Sequence, residues 1–219
     1  MANTAQLSPF AKPVRFRSEI LPKFPALRIP AVPLLRRGIS RGGITEITGP
    51  RSSGRMSVLL HILAQATARG EICAVVDTND QFHPASAAAA GVRLARLVWV
   101  RCRGNSEHAM RAADLLLYAG GFGVVILDFC EVNRKVLNRI PLSYWHRFRR
   151  AIEQTSTVLL VCSSSAQTKG CLHHLELQLQ HPRWEGKPPF CLLQGLDIAG
   201  RLRKPVESAV QQLSLERTA

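Results

Sequence analysis

Acids are scarce in this sequence. Its 219 residues hold 15 Asp and Glu against 29 Lys and Arg, giving a formal net charge of +14 and a pI near 10.6. Such an excess points to polyanionic partners, nucleic acid first, with an acidic protein surface or plain solubility as the competing explanations. Long hydrophobic runs are also missing. No apolar stretch approaches the roughly 20 residues of a membrane helix, and the polar start carries no signal-peptide core. A soluble, cytoplasmic, nucleoid-associated protein with no membrane partner is the expectation. Cys-x-x-Cys pairs are absent as well. Of the six cysteines, Cys73, Cys102, Cys130 and Cys162 fall in or beside apolar strand-like runs, which predicts buried, reduced thiols. Cys171, His173 and His174 lie together but have no second ligand cluster, so no metal is expected.

What is present centres on residues 42–57, GGITEITGPRSSGRMS. Ile44 to Thr48 is β-prone, Gly49 breaks the strand, and a helical pattern begins near Gly54. Strand, glycine-bounded loop and helix are the parts of a phosphate-binding P-loop, in which backbone N–H groups and a helix N-terminus surround a phosphate. The candidate nucleotide-binding residues are Gly49, Pro50, Ser52, Ser53, Gly54 and Arg55, joined by Asp128 at the end of the apolar run Val124–Leu127. The spacing Gly49-x-x-x-x-Gly54 is kept. Arg55, however, stands where lysine is expected, and Met56 where a magnesium-binding hydroxyl is expected.

Around this loop, apolar runs alternate with helical patterns. Strands are expected at residues 72–76, 97–101, 124–127 and 157–162. Helices are expected from Met56 to near Gly70, over 83–90, from a Ser106 cap to about Tyr118, and from Pro141 to about Gln154. Leu175, Leu177 and Leu179, a polar loop, then Phe190 to Leu193 read as an antiparallel hairpin. The fold class is α/β: a central, mainly parallel sheet with helices on both faces and a C-terminal antiparallel hairpin. Three regions follow. Residues 1–41 form a basic proline-containing arm, 42–200 a core domain, and 201–219 a polar, frayed tail.

The residues Ile44, Glu46, Ile47, Gly49, Pro50, Ser52, Ser53 and Gly54, with Asp77, Pro84 and Asp128, resemble the RecA recombinase core over roughly residues 34–180. That resemblance implies a RecA-like P-loop NTPase fold. It also exposes departures. The position of RecA's catalytic glutamate is Asn79, its lysine is Arg55, its magnesium-binding hydroxyl is Met56, and an adenine-side aspartate is His83. Its long DNA-binding loop is cut to about residues 163–170, and its Asn-Gln sensor becomes Ser163-Ser164. Losing base, lysine and metal ligand together argues against hydrolysis, since each typically contributes about 10²–10⁴ in rate. The expectation is a degenerate site with no catalytic residue and no required cofactor, in which ATP with magnesium is at most residual.

A short RecA-like chain with a basic arm, a degenerate site and a curtailed loop resembles the ImuA group, related also to SulA. The resemblance implies a non-catalytic accessory in SOS mutagenesis and translesion synthesis. Its partners would be error-prone polymerase subunits (an inactive Y-family homologue and a replicative-type mutagenic polymerase), RecA, and DNA, with self-association through the arm. The alternatives are a DNA-dependent ATPase or recombinase paralogue, and a SulA-like inhibitor of cell division. The segment 134–150 holds six Lys and Arg and no acid. Trp145 and Phe148 read there as core. Arg134, Lys135 and Arg139, in a loop before the helix, are the DNA-binding candidates together with Arg147.

Overall fold

The computed structural model describes residues 26–27, 38–204 and 210–216. Most of the arm expected over residues 1–41, and with it the self-association assigned to that arm, lies outside these residues. Its described part is anchored. Leu27 and Ile39 form an antiparallel bridge, and both side chains are fully buried in the core.

The P-loop strand β1 (Gly43–Thr48) leads into helix α1 (Arg55–Ala68). There follow β2 (Cys73–Asp77), α2 (Pro84–Ala89), β3 (Leu97–Arg101), α3 (Ser106–Ala119), β4 (Val124–Phe129), α4 (Arg134–Leu137), α5 (Leu142–Ile152) and β5 (Val158–Ser163). Three long strands finish the chain: β6 (His173–Lys187), β7 (Phe190–Lys204) and β8 (Val210–Glu216). Among the described residues they form one sheet in the order β3-β2-β4-β5-β1-β6-β7-β8. Strands β1 to β6 are mutually parallel, while β7 and β8 run antiparallel to their neighbours.

Strand alternation divides the core in two. On one face Ile47, Val75, Ile126 and Leu160 pack with Val58, Leu59, Ile62 and Leu63 of α1. On the other, Ile44, Val76, Leu127 and Val161 pack with Met110 and Ala113 of α3 and with Trp145, Phe148 and Ile152 of α5. Central strands buried on both faces are apolar except where a polar side chain finds a partner, as Glu46 of β1 does. The short Val/Ile/Leu runs of β4 and β5 are the result.

The two ends of the parallel strands differ in kind. At their N-terminal end, Arg41 forms an ion pair with Glu71 at 2.7 Å and donates to the carbonyls of Gly123 and Ser156 at 3.1 and 3.2 Å. This clamp ties together the approaches to β1, β2, β4 and β5. Gly123 has to be glycine, because a Cβ there would lie 1.9 Å from a Glu71 carboxylate oxygen. The C-terminal ends, at Thr48, Asp77, Asp128 and Ser163, carry the polar residues and the loops.

Several boundaries differ from the sequence reading. The cap of α3 is Asn105, whose side chain accepts from the His108 N–H, and Ser106 is already helical. Arg134 and Lys135 sit on the short helix α4, capped by Asn133, and not in a loop. Leu142, at the start of α5, is 55% exposed, while Trp145 and Phe148 are core as expected. The segment HPRWEGKPP, expected as a polar loop, belongs mostly to β6, which pairs with β7 all the way to Lys187 and Phe190. Nor is the C-terminal segment simply a frayed tail. Residues 201–204 finish β7, and Val210–Glu216 form β8.

Candidate nucleotide site

The loop between β1 and α1 owes its shape to particular residues. A Cβ on Gly49 would meet the Leu177 carbonyl of β6 at 2.4 Å and the Ser53 hydroxyl at 2.5 Å, so only glycine lets the chain pass under β6. Gly54 occupies the left-handed region at φ 81°, as the turn into α1 demands, and Ser52 does so at φ 60°. The turn is closed by Ser53 N–H donating to the Pro50 carbonyl at 3.3 Å. Helix α1 has no side-chain cap and no acid in its first turn, leaving its leading N–H groups for an anion.

Residues 51–57 line a cleft of about 570 Å³ together with Gln81, Cys130, Glu131 and Leu196. Arg55 is buried at 6% exposure, and its Nη1 has no hydrogen-bond partner; the buried Ser53 hydroxyl also has none. Met56 packs its half-buried side chain against the α1 core. At the rim, Arg51 pairs with Glu131 at 3.1 Å, while Pro50 and Ser52 are exposed.

Asp128 lies near the end of β4, two residues before the cleft-lining Cys130. It is buried, and one carboxylate oxygen accepts the Cys130 N–H at 2.8 Å. Burial pushes its carboxyl above the ordinary value, with the Cys130 hydrogen bonds and the charge of Arg55 pulling the other way. The Cys130 thiol lies 3.1 Å from that of Cys162 on β5. That mutual contact and burial push the Cys130 thiol up.

The other positions singled out by the sequence have local work. Asp77 accepts from the N–H groups of Gln81 and Phe82 and from the Trp99 indole, so it shapes the loop after β2. His83 caps α2 by accepting the Ser86 N–H. The shortened segment after β5 is held down by buried Glu46, which accepts from Gln167 N–H, Thr168 N–H and the Thr168 hydroxyl at 2.6–3.0 Å. The role of Glu46 was open to detection in the sequence, as an acid amid β-branched strand residues. The pairing of Cys130 with Cys162 carried no such signal.

The candidates for nucleic acid separate. Arg134 and Lys135 on α4, and Arg139 just after it, are exposed close to the end of β4. Arg147 is elsewhere. It pairs with Asp114 of α3 and lies over the rings of Tyr118 and Tyr144, each at 5.9 Å. Among the described residues, no helix is long and apolar enough to cross a membrane.

Residues 31–134 match the RecA N-terminal domain family. Protein RecA of Rickettsia massiliae is 37% identical over 91 residues, which are 42% of this chain and 26% of that protein. Protein RecA of Rhodospirillum rubrum is 40% identical over 91 residues, 42% of this chain and 25% of that protein. The matched part is thus about a quarter of the length of these curated relatives. Among solved structures, that of the RadB recombinase superimposes with a TM-score of 0.63 over 88% of this chain and 96% of its own, at 15% identity, which establishes a shared fold. Residues 31–134 are thus similar to the RecA N-terminal domain, and the chain as described has a RecA-like fold.

Proposed function

We propose that this RecA-like chain works without ATP turnover, as an accessory in the bacterial DNA-damage response that supports error-prone translesion synthesis, with mutagenic polymerase subunits and DNA as its partners. The observation carrying this reading is the state of α1's first turn. Met56, where the loop needs a metal-binding hydroxyl, lies half-buried against the core at the cleft wall, and Arg55 fills the lysine position from a buried site. Arg55 supplies positive charge to a phosphate but cannot reproduce the compact fit of a lysine ammonium. The exposed basic residues Arg134, Lys135 and Arg139 support contact with DNA. The polymerase partners and RecA itself rest on the resemblance to the ImuA group.

The second reading is a DNA-dependent ATPase or recombinase paralogue. It is favoured by the uncapped α1 terminus, by Asp128 in place on β4, and by relatives that are RecA proteins. Calorimetry of ATP binding with and without Mg²⁺, paired with phosphate release in the presence of single-stranded DNA, separates the two. The accessory reading expects ATP binding that ignores Mg²⁺ and weakens in Arg55→Ala, with no DNA-stimulated phosphate release. Magnesium-dependent binding with DNA-stimulated turnover would establish the enzyme instead.

A further inference from the structure

Beside Asp128, the carboxylate on which the ATPase reading draws, lie two thiols that neither nucleotide reading uses. The ligand atoms of Asp128, Cys130 and Cys162 all lie within 4.8 Å of one another. Parallel pairing of β4 with β5 sets Asp128 opposite Cys162, and Cys130, two residues beyond Asp128 in the turn after β4, reaches back to the same point. Cys130 also lines the cleft, so a fourth position is open to water or an anion.

We propose that Asp128, Cys130 and Cys162 form a zinc-binding site beneath the phosphate loop. Two soft sulfur donors and one carboxylate suit Zn²⁺ and do not suit Mg²⁺, which requires hard oxygen ligands. Charge supports the assignment independently. Arg55 is buried in the same cleft with Nη1 unpartnered. Two thiolates, one carboxylate, one divalent ion and that guanidinium sum to neutrality. Zn–S bonds of about 2.3 Å in a tetrahedral site place two sulfurs roughly 3.8 Å apart. The present 3.1 Å therefore opens by a fraction of an ångström on loading, and Cys130, at the start of a turn, is the ligand free to move. Binding releases the two thiol protons to solvent and changes no oxidation state. The inference is independent of whether ATP binds.

The test is titration of the reduced, metal-stripped full-length chain with Co²⁺, followed by competition with Zn²⁺. The expected result is one equivalent bound, with the visible bands of a tetrahedral site and a thiolate-to-cobalt charge-transfer band, both erased by Zn²⁺. Cys130→Ser should weaken binding by more than the 10–100-fold typical of changes outside the ligand shell and halve the charge-transfer intensity. Asp128→Asn should weaken binding while leaving that intensity intact, and the exposed-thiol variant Cys191→Ser should change neither. Cys162 is fully buried, so the Cys130 and Asp128 variants, checked by circular dichroism, carry the test even if Cys162→Ser fails to fold. Absence of the charge-transfer band from folded wild-type protein would overturn the site. So would its loss in Cys191→Ser, or a thiol count on metal-free protein showing Cys130 and Cys162 already joined as a disulfide.

Discussion

Arg41 and Glu71 form a buried pair whose disruption carries a large stability cost. Their side chains are 10% and 0% exposed, and the guanidinium also holds the Gly123 and Ser156 carbonyls. A buried pair gains little over a well-packed apolar replacement, but removing one partner strands the other charge in a low dielectric. Glu71→Ala is therefore expected to cost about 3–5 kcal/mol, a large share of the roughly 5–15 kcal/mol that holds a domain together. The double variant Arg41→Met/Glu71→Leu should cost clearly less than Glu71→Ala. Urea midpoints of the three proteins measure this. A double variant as unstable as the single would mean that the carbonyl contacts, and not the ion pair, dominate. The sequence disclosed little at this scale. Asp77 and Arg55 stood out because a known loop pattern gives their positions meaning. Arg41 and Glu71 are 30 residues apart and meet only because β1 and β2 start at the same end of the sheet. Cys130 and Cys162 are likewise joined by the adjacency of β4 and β5, which no spacing in the chain reveals.

At the scale of elements, β2, β4 and β5 were legible because strands buried on both faces are written as short, mostly apolar runs, and β1 was legible from the glycine-bounded loop that follows it. The β6–β7 hairpin was legible from the alternation of Leu175, Leu177 and Leu179, but its full length and β8 were not. Beyond Gln180 the hairpin is largely solvated on both faces, so burial no longer selects alternation, and Trp184 and Phe190 lie 60% and 85% exposed. Backbone pairing alone defines it there, and composition does not record pairing. The attachment of β6 to the core makes a test. His173 shares a hydrogen bond with the Ser40 hydroxyl at 3.0 Å, and His174 one with the Thr48 hydroxyl at 2.8 Å. Burial lowers the His173 pKa from its ordinary 6.5. The unfolded chain then holds the His173 proton more tightly than the fold does. Its contribution to stability is present in full above 6.5 and is lost as pH falls from 6.5 through the lowered folded value. Thermal unfolding measured from about pH 8 down to about pH 5 should show this loss, and His173→Gln should flatten the slope in that window. An unchanged slope in the variant would assign the acid sensitivity to other groups.

For the whole molecule, charge and shape have to be read together. A net charge of +14 implies affinity for polyanions, but it does not say where on the molecule they bind. The fold narrows the choice. Arg134, Lys135 and Arg139 stand exposed just beyond the C-terminal end of β4, the strand end that in β1 leads into the phosphate loop, while Leu137 between them packs into the α3–α5 core. Arg147 is committed to Asp114 and two tyrosine rings on the α3–α5 layer. If the first three each neutralise one phosphate of single-stranded DNA, their joint replacement by alanine removes about two units from the slope of log K against log salt, since each contact contributes about 0.7. Arg147→Ala should leave that slope unchanged and instead lower the unfolding temperature modestly, because a partly exposed pair contributes little. Fluorescence anisotropy of a labelled oligonucleotide across a salt series measures both variants. A triple variant with the wild-type slope would move the DNA surface elsewhere, whereas a slope that falls only with Arg147→Ala would place it beside Asp114, Tyr118 and Tyr144.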